Sequence, residues 1–502
     1  MSRMVPEQMD LSRELPVVIG NVDYEQFQRR LVEVDRLLRE TGLEEEWVRG
    51  QLIRWEQEGR REAQRRGERY AEPGAREVAR KQRSCRQALR CNLARLFTEK
   101  EYRRFTRRLA ESPLLQWFCG IQRLELTRVP SKSTLERYDK QAPEPDVREL
   151  VNRLNRLAVN GEVGGEKSLD LEAYFSDASC VKANIHFPVD WVLLRDGVRT
   201  LMKAIRVIRR HGLRHRIAEP ESFLRRINRL SIEMTQSRRR EDSRRRRKQV
   251  LRQMKELNRT VMKHARRYRE RLAADWKERT DLKEGQVRQI LGRLDGILDQ
   301  MPAAIRQAHE RIIGGRLVKN ADKILSLYER EIQVIVRGKA EAEVEFGNTL
   351  WLGEQADGLI VDWELHKDRS PGDTKLFRAS VDRIHSVFGR YPRSVAGDRG
   401  LWSQETERWL EAEGIYSALC PRGVNERGER MKEKRFAELQ KRRAQTEGRI
   451  GILKNDFFGC PLRNKGFAHR ELAVAWAVLA HNLWLLAGLR VDQKEEQQKQ
   501  AA

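Results

Sequence analysis

Three acidic residues stand where metal chemistry is done. Asp398 follows the short apolar run Arg393-Ser394-Val395-Ala396, which reads as a buried strand stopping at Gly397. Gly400 then frees the backbone to turn away. Asp177 closes a second strand pattern that begins at Leu171, and Glu447 lies on a later helix. Acids just beyond the carboxyl ends of strands in an α/β sheet are placed for chemistry, and several together can share a divalent ion. A lone Asp-x-Gly is better read as a turn, so it is the occurrence of three acids in order that carries the weight.

The surroundings of Glu447 add phosphate chemistry. Arg443 lies four residues before it, Gly451 four after and Lys454 seven after, all on one helical face. Ile450 and Leu453 fall on the neighbouring face that packs on a sheet. A carboxylate flanked by Arg and Lys on a face opened by glycine suits a metal ligand beside a bound phosphate. An ordinary exposed, salt-bridged helix has the same spacing.

The elements that must position these residues are spread over 502 residues, enough for several domains. Lys plus Arg number 101 against 75 Asp plus Glu, a net charge of +26. That excess favours a polyanion, nucleic acid before an anionic membrane. The six cysteines have no metal-ligand spacing, which points to a reduced compartment, and the nine histidines form no zinc pattern. The N-terminus lacks a secretory layout. Leu472 to Leu489 approaches membrane-spanning length, but His481-Asn482 interrupts it, so a buried core helix is expected.

Residues 1–97 read as a helical N-terminal region, with a loose arm to about 20, helical spacing from Tyr24 to Gly59, and an Arg-rich solvated helix or linker over 60–95. Residues 98–165 read as a helical DNA-binding domain: Thr98 to Glu101 resembles a capping box, and Ser131 caps a helix bearing Arg137. A helix-turn-helix and a plain bundle both fit. Residues 161–165 resemble a hinge. Residues 166–195 and 341–490 form the two parts of an α/β core, and 196–340 a basic α-helical insertion. Within the insertion, Arg244, Arg245, Arg246 and Arg247 belong to a basic run that starts at Arg238 and suits phosphate contact. Val344–Leu352 and Leu359–Leu365 form an antiparallel pair. They are followed by a helix at Asp373–Phe388, the Asp398 strand, a helix at Gln404–Glu413 and a strand at Ile415–Leu419. A disordered tail is expected over 491–502.

Four blocks in this order make the sequence resemble the DDE-class transposases of bacterial insertion sequences. They are Ser176-Asp177-Ala178-Ser179 with Ala183 through Asp190, Glu345-Phe346-Gly347, Ala396-Gly397-Asp398-Arg399-Gly400, and Glu447 through Lys454. Arg443, Glu447 and Lys454 match the family's Tyr-x2-Arg-x3-Glu-x6-Lys signature, with Gln440 at the tyrosine position. The Pro130–Tyr138 segment is also similar, and the likeness covers roughly 98–200 and 316–490.

The resemblance implies a ribonuclease H-like mixed sheet flanked by helices, interrupted by the α-helical insertion and preceded by the helical N-terminal region. It implies a DNA transposase that binds element ends and catalyses cleavage and strand transfer with Mg²⁺ or Mn²⁺, as two ions about 3.5–4 Å apart. Asp177 would bridge them, with Asp398 and Glu447 each on one. Arg443, Lys454 and Arg399 would contact phosphate, and Trp402 would stack on an unpaired base or sit in the core. Partners would be element-end and target DNA, with a dimer when two ends are paired, in a cytoplasmic, nucleoid-associated location. A structure-selective nuclease and a non-enzymatic DNA-binding protein are the competing readings.

Overall fold

The computed structural model describes residues 4–5, 14–121, 127–163, 169, 171–237, 242–339 and 342–501. The chain divides into two compact units, one of Met1–Lys182 with Thr349–Ala502, the other of Ala183–Asn348. The second contains the expected 196–340 insertion and takes in 183–195 as well.

The first unit is built on a mixed sheet. Its strands are β1 (Ala173–Lys182), the latter part of β3 (Ala342–Gln355), β4 (Ile360–Leu365), β5 (Ser394–Gly397) and β6 (Tyr416–Leu419). β4 pairs antiparallel with β3, β3 neighbours β1, and β1, β5 and β6 run parallel. Alternation along β1 sends Tyr174 into the main core and Ala173 and Phe175 to the opposite face. The main core includes Leu376, Phe377 and Ile384 of the Asp373–Phe388 helix. On the other face, Ala173, Phe175, Ala396 and Ala418 pack with Phe436 of the Lys434–Ile452 helix.

The N-terminal helices belong to this unit. Val22–Glu40, Leu43–Arg66 and Ala75–Thr98 share the main core with the sheet, and so do the helices of 98–165. The Arg-rich 60–95 stretch is therefore not all solvated. Arg90 is buried and its guanidinium pairs with Asp35 at 2.7 Å and Glu44 at 2.5 Å. Thr98 ends a helix instead of capping the next, its hydroxyl donating to the Ala94 carbonyl, and Glu101 takes the N-cap position. Ser131 caps the Lys132–Asp139 helix as expected, accepting from the Thr134 amide at 3.3 Å. The 161–165 hinge lies partly outside the described residues.

Phe467–Ala501 is one continuous helix, so helix replaces the expected tail over 491–501. It is long and apolar enough to span a membrane, yet 78% of its apolar window is buried inside the protein. His481 and Asn482 are buried rather than disruptive. The Asn482 amide accepts from the Ile360 N–H at 3.1 Å and donates to the Ile360 carbonyl at 2.7 Å, satisfying the backbone of an edge strand. Burial drives the His481 imidazole down to about 4.

In the second unit, helices Asp190–Arg210, Pro220–Gln236, Ser243–Arg279 and Glu284–Ala308 enclose their own core of Leu194, Ile205, Met254, Val261 and Met301. The stretch expected to be helical to Arg337 ends in strand β2 (Gln333–Lys339), which pairs antiparallel with the first part of β3.

Candidate active site

Two of the three acids belong to neighbouring strands, Asp177 within β1 and Asp398 just after β5. β1 and β5 pair Ala173 with Ser394 and Phe175 with Ala396. That pairing covers Ala173 to Phe175 of β1; Asp177 lies two residues beyond it, and Asp398 follows the end of β5 at Gly397. By the two-residue period Asp177 lies on the face of Phe175, which the Lys434–Ile452 helix covers. Asp177 is inside β1, not at its end, since the strand continues to Lys182. Its Oδ1 accepts from the Ala178 amide at 2.8 Å. Asp398 is exposed, and its Oδ1 accepts from the Gly400 amide at 2.8 Å, closing the turn. A Cβ at Gly400 would lie 3.1 Å from that oxygen and 3.1 Å from Asp373 Oδ2, so the turn is compact.

Glu447 is exposed on the Lys434–Ile452 helix, whose placement is fixed by three polar anchors. Gln440 Nε2 donates to the carbonyls of Gly397, at 3.1 Å, and Ala418, at 2.5 Å, holding the ends of β5 and β6. Arg442 and Arg449 each reach the fully buried Glu354 at 3.1 Å. Lys454 Nζ donates to Ser179 Oγ at 2.5 Å, two residues beyond Asp177 on the same face. The α-helix gives way at Leu453 to a wider π turn over Leu453–Phe458, so Lys454 no longer follows the straight α-helical row. Thr446, Ile450 and Leu453 are buried against the sheet. Arg443 sits one turn before Glu447, and its Nε is enclosed with no hydrogen-bond partner among the described residues.

Among the described residues no group of three or more His, Cys, Asp or Glu converges tightly enough to hold a metal ion. Asp177 and Asp398 belong to neighbouring strands and Glu447 to the helix on their face, without the three joining in a ligand set. The sequence reading missed Asp373, at the first turn of the helix after β4. Partial burial and the neighbouring Asp398 charge hold its carboxyl above the ordinary value. The sequence reading also missed Gln440 as an anchor. Its signal was available, a polar residue at helical spacing on the sheet-facing side.

The other expected contacts are scattered. Arg399 and Arg137 are exposed, the latter donating to Thr134 Oγ1 at 3.3 Å. Trp402 is half-buried and packs against the main core. In the second unit Arg244 and Arg245 are exposed. Arg246 pairs with Glu233, and Arg247 lies 5.4 Å from the Trp191 ring centroid. The start of that basic run, 238–241, lies outside the described residues.

No curated protein and no solved structure matches this chain. Residues 354–483, from the end of β3 through the Glu447 helix into the last helix, match the family described as Transposase DDE domain. That segment, about a quarter of the chain, is similar to the transposase DDE domain, in line with the resemblance carried by the sequence blocks.

Proposed function

We propose that the protein is a DNA transposase that binds the ends of an insertion sequence, cleaves there and joins the freed strand to target DNA. The observation that carries this is the parallel pairing of β1, which bears Asp177, with β5, which Asp398 follows, on a sheet face packed by the helix that bears Glu447. The strand order β4-β3-β1-β5-β6, antiparallel on one side and parallel on the other, supports a ribonuclease H-like sheet. Asp177, Asp398 and Glu447 are our proposed catalytic residues.

The donor chemistry fits a hard divalent cation, Mg²⁺ or Mn²⁺. The candidates are carboxylates, and Asp373 and Asp398 already repel one another in its absence. Asp177, Asp398 and Glu447 are the carboxylates that would hold one or two such ions if drawn into a ligand set, which they do not form here; such ions, when bound, supply a nucleophile at neutral pH and stabilise the leaving oxygen. The protein's own part is positional. Gln440 fixes the strand ends just before Asp398, and Ser179, two residues beyond Asp177 on β1, orients Lys454. The half-buried Arg443, its Nε enclosed with no hydrogen-bond partner among the described residues, suits a DNA phosphate beside the scissile bond. Arg399 and Trp402 flank the same turn, for phosphate and base contact respectively. Residues 98–165, with Arg137 exposed on a capped helix, would bind the element end, and two copies would pair two ends.

The test is a cleavage and strand-transfer assay with Mg²⁺ and the DNA flanking the gene. Asp398→Asn should abolish cleavage, by at least about 100-fold, while leaving DNA binding intact. Normal cleavage by this variant would overturn the triad, and wild-type cleavage without joining would leave a nuclease.

A further inference from the structure

The arginine run that stands out in the sequence is not the one that faces outward most consistently. On the Ser243–Arg279 helix, Leu251, Met254, Leu257, Val261, Ala265 and Tyr268 point into the core of the second unit. Arg247 lies on that inner side against Trp191, and Arg246 is tied to Glu233. Arg245, Arg252, Arg259, Lys263, Arg266 and Arg267 are all exposed, one to seven residues apart, on the side away from the core. Glu256 and Glu270 share this face. Even so, none of the six has an ion-pair partner among the described residues. Their field is felt nearby. Burial and then Arg259 and Arg252 lower the Lys255 ammonium from its ordinary value. His264 is likewise lowered by burial and then by Arg267 and other cations.

The geometry points to this row as a docking surface for duplex DNA, gripped through its phosphates. This deepens the reading above and rests on it for the identity of the polyanion. From Arg245 to Arg267 the row spans about 33 Å at 1.5 Å per residue, close to one turn of duplex, about 34 Å. The face carries no aromatic side chain, so it lacks the stacking platforms by which single strands are held. Charge without hydrogen-bonding shape gives affinity and salt dependence but little sequence choice.

The test is binding of the full chain to a random-sequence duplex, followed by fluorescence anisotropy over a range of salt. The triple variant Arg252→Gln/Arg259→Gln/Lys263→Gln should bind more weakly and flatten the log–log salt slope by about 2.7, at about 0.9 for each phosphate that is no longer neutralised. A control with equal loss of charge elsewhere, Arg61→Gln/Arg65→Gln/Arg69→Gln, should keep the slope. Arg252→Lys/Arg259→Lys, which retains charge, should keep it too and guards against misfolding. An unchanged slope in the triple variant, an equal loss in the control, or an effect confined to single-stranded RNA overturns the surface. Cleavage is not needed for this readout. An inactive enzyme with the expected slope change would sink transposition and leave the surface standing.

Discussion

At the scale of single residues, the least expected feature is the pairing of Asp398 with Asp373. The Asp373 side chain still reaches solvent, so the upward shift of its carboxyl is modest. Its sign is nevertheless useful. A carboxyl raised on folding binds more protons in the folded state, so stability falls as pH rises from the ordinary aspartate range through the raised value. A divalent ion among these carboxylates would cancel the repulsion. Mg²⁺ should therefore raise the thermal midpoint more at neutral than at mildly acidic pH. Asp373→Asn should raise the midpoint of the metal-free protein slightly at neutral pH and shrink the Mg²⁺ response. Scanning fluorimetry of both proteins at two pH values checks this, and an Asn variant with the full wild-type response would sink it. Asp398 was legible from the sequence because a strand, a glycine and an acid are contiguous there. Asp373 was not, because nothing local to the start of a helix reports an acid arriving from a turn 25 residues later (398 − 373).

At the scale of elements, the helix over Lys434–Ile452 decides whether the acids can act together. Its sheet-facing side follows from buried Phe436, Thr446 and Ile450, a periodicity readable in the sequence. Its lateral position does not, because that depends on Gln440 bonding two strand ends and on Arg442 and Arg449 meeting a carboxylate about 90 residues earlier (442 − 354 = 88). Long-range polar pairs leave no periodic trace. The same holds for Arg90, whose partners lie 55 and 46 residues away, and its stretch therefore reads as solvated from composition alone. Gln440 stands where the resembled signature has tyrosine, and here it serves the backbone under Asp398. Gln440→Leu should lower the cleavage rate by about 10–100-fold, the usual cost of losing support behind a metal ligand. It should also raise the Mg²⁺ concentration needed for half-maximal rate and leave duplex binding unchanged. A lower rate with an unaltered Mg²⁺ requirement would show that the bond is only structural.

At the scale of the whole molecule, the order of elements was readable and the boundaries were less so. Alternating strand and helix patterns from Val344 onward match the observed elements closely, because each segment is short, apolar and bounded by glycine or proline. β2 escaped notice because its apolar run is only three residues long, Val334-Ile335-Val336, and basic, helix-like sequence precedes it. The inserted unit has a physical reason to be independent. Every residue of its main core, from Trp191 to Leu327, lies inside Ala183–Asn348, and four helices of 17 to 37 residues enclose it. A core that closes on itself supports cooperative folding without the rest of the chain. Residues 183–348 expressed alone should therefore be helical by circular dichroism and unfold in a single sigmoidal thermal transition. Met254→Ala in that fragment should lower its stability by about 2–5 kcal/mol, as expected for a fully buried methionine on the central helix. A fragment with a coil-like spectrum, or one that melts without cooperativity, would mean that the insertion takes its structure from the rest of the chain.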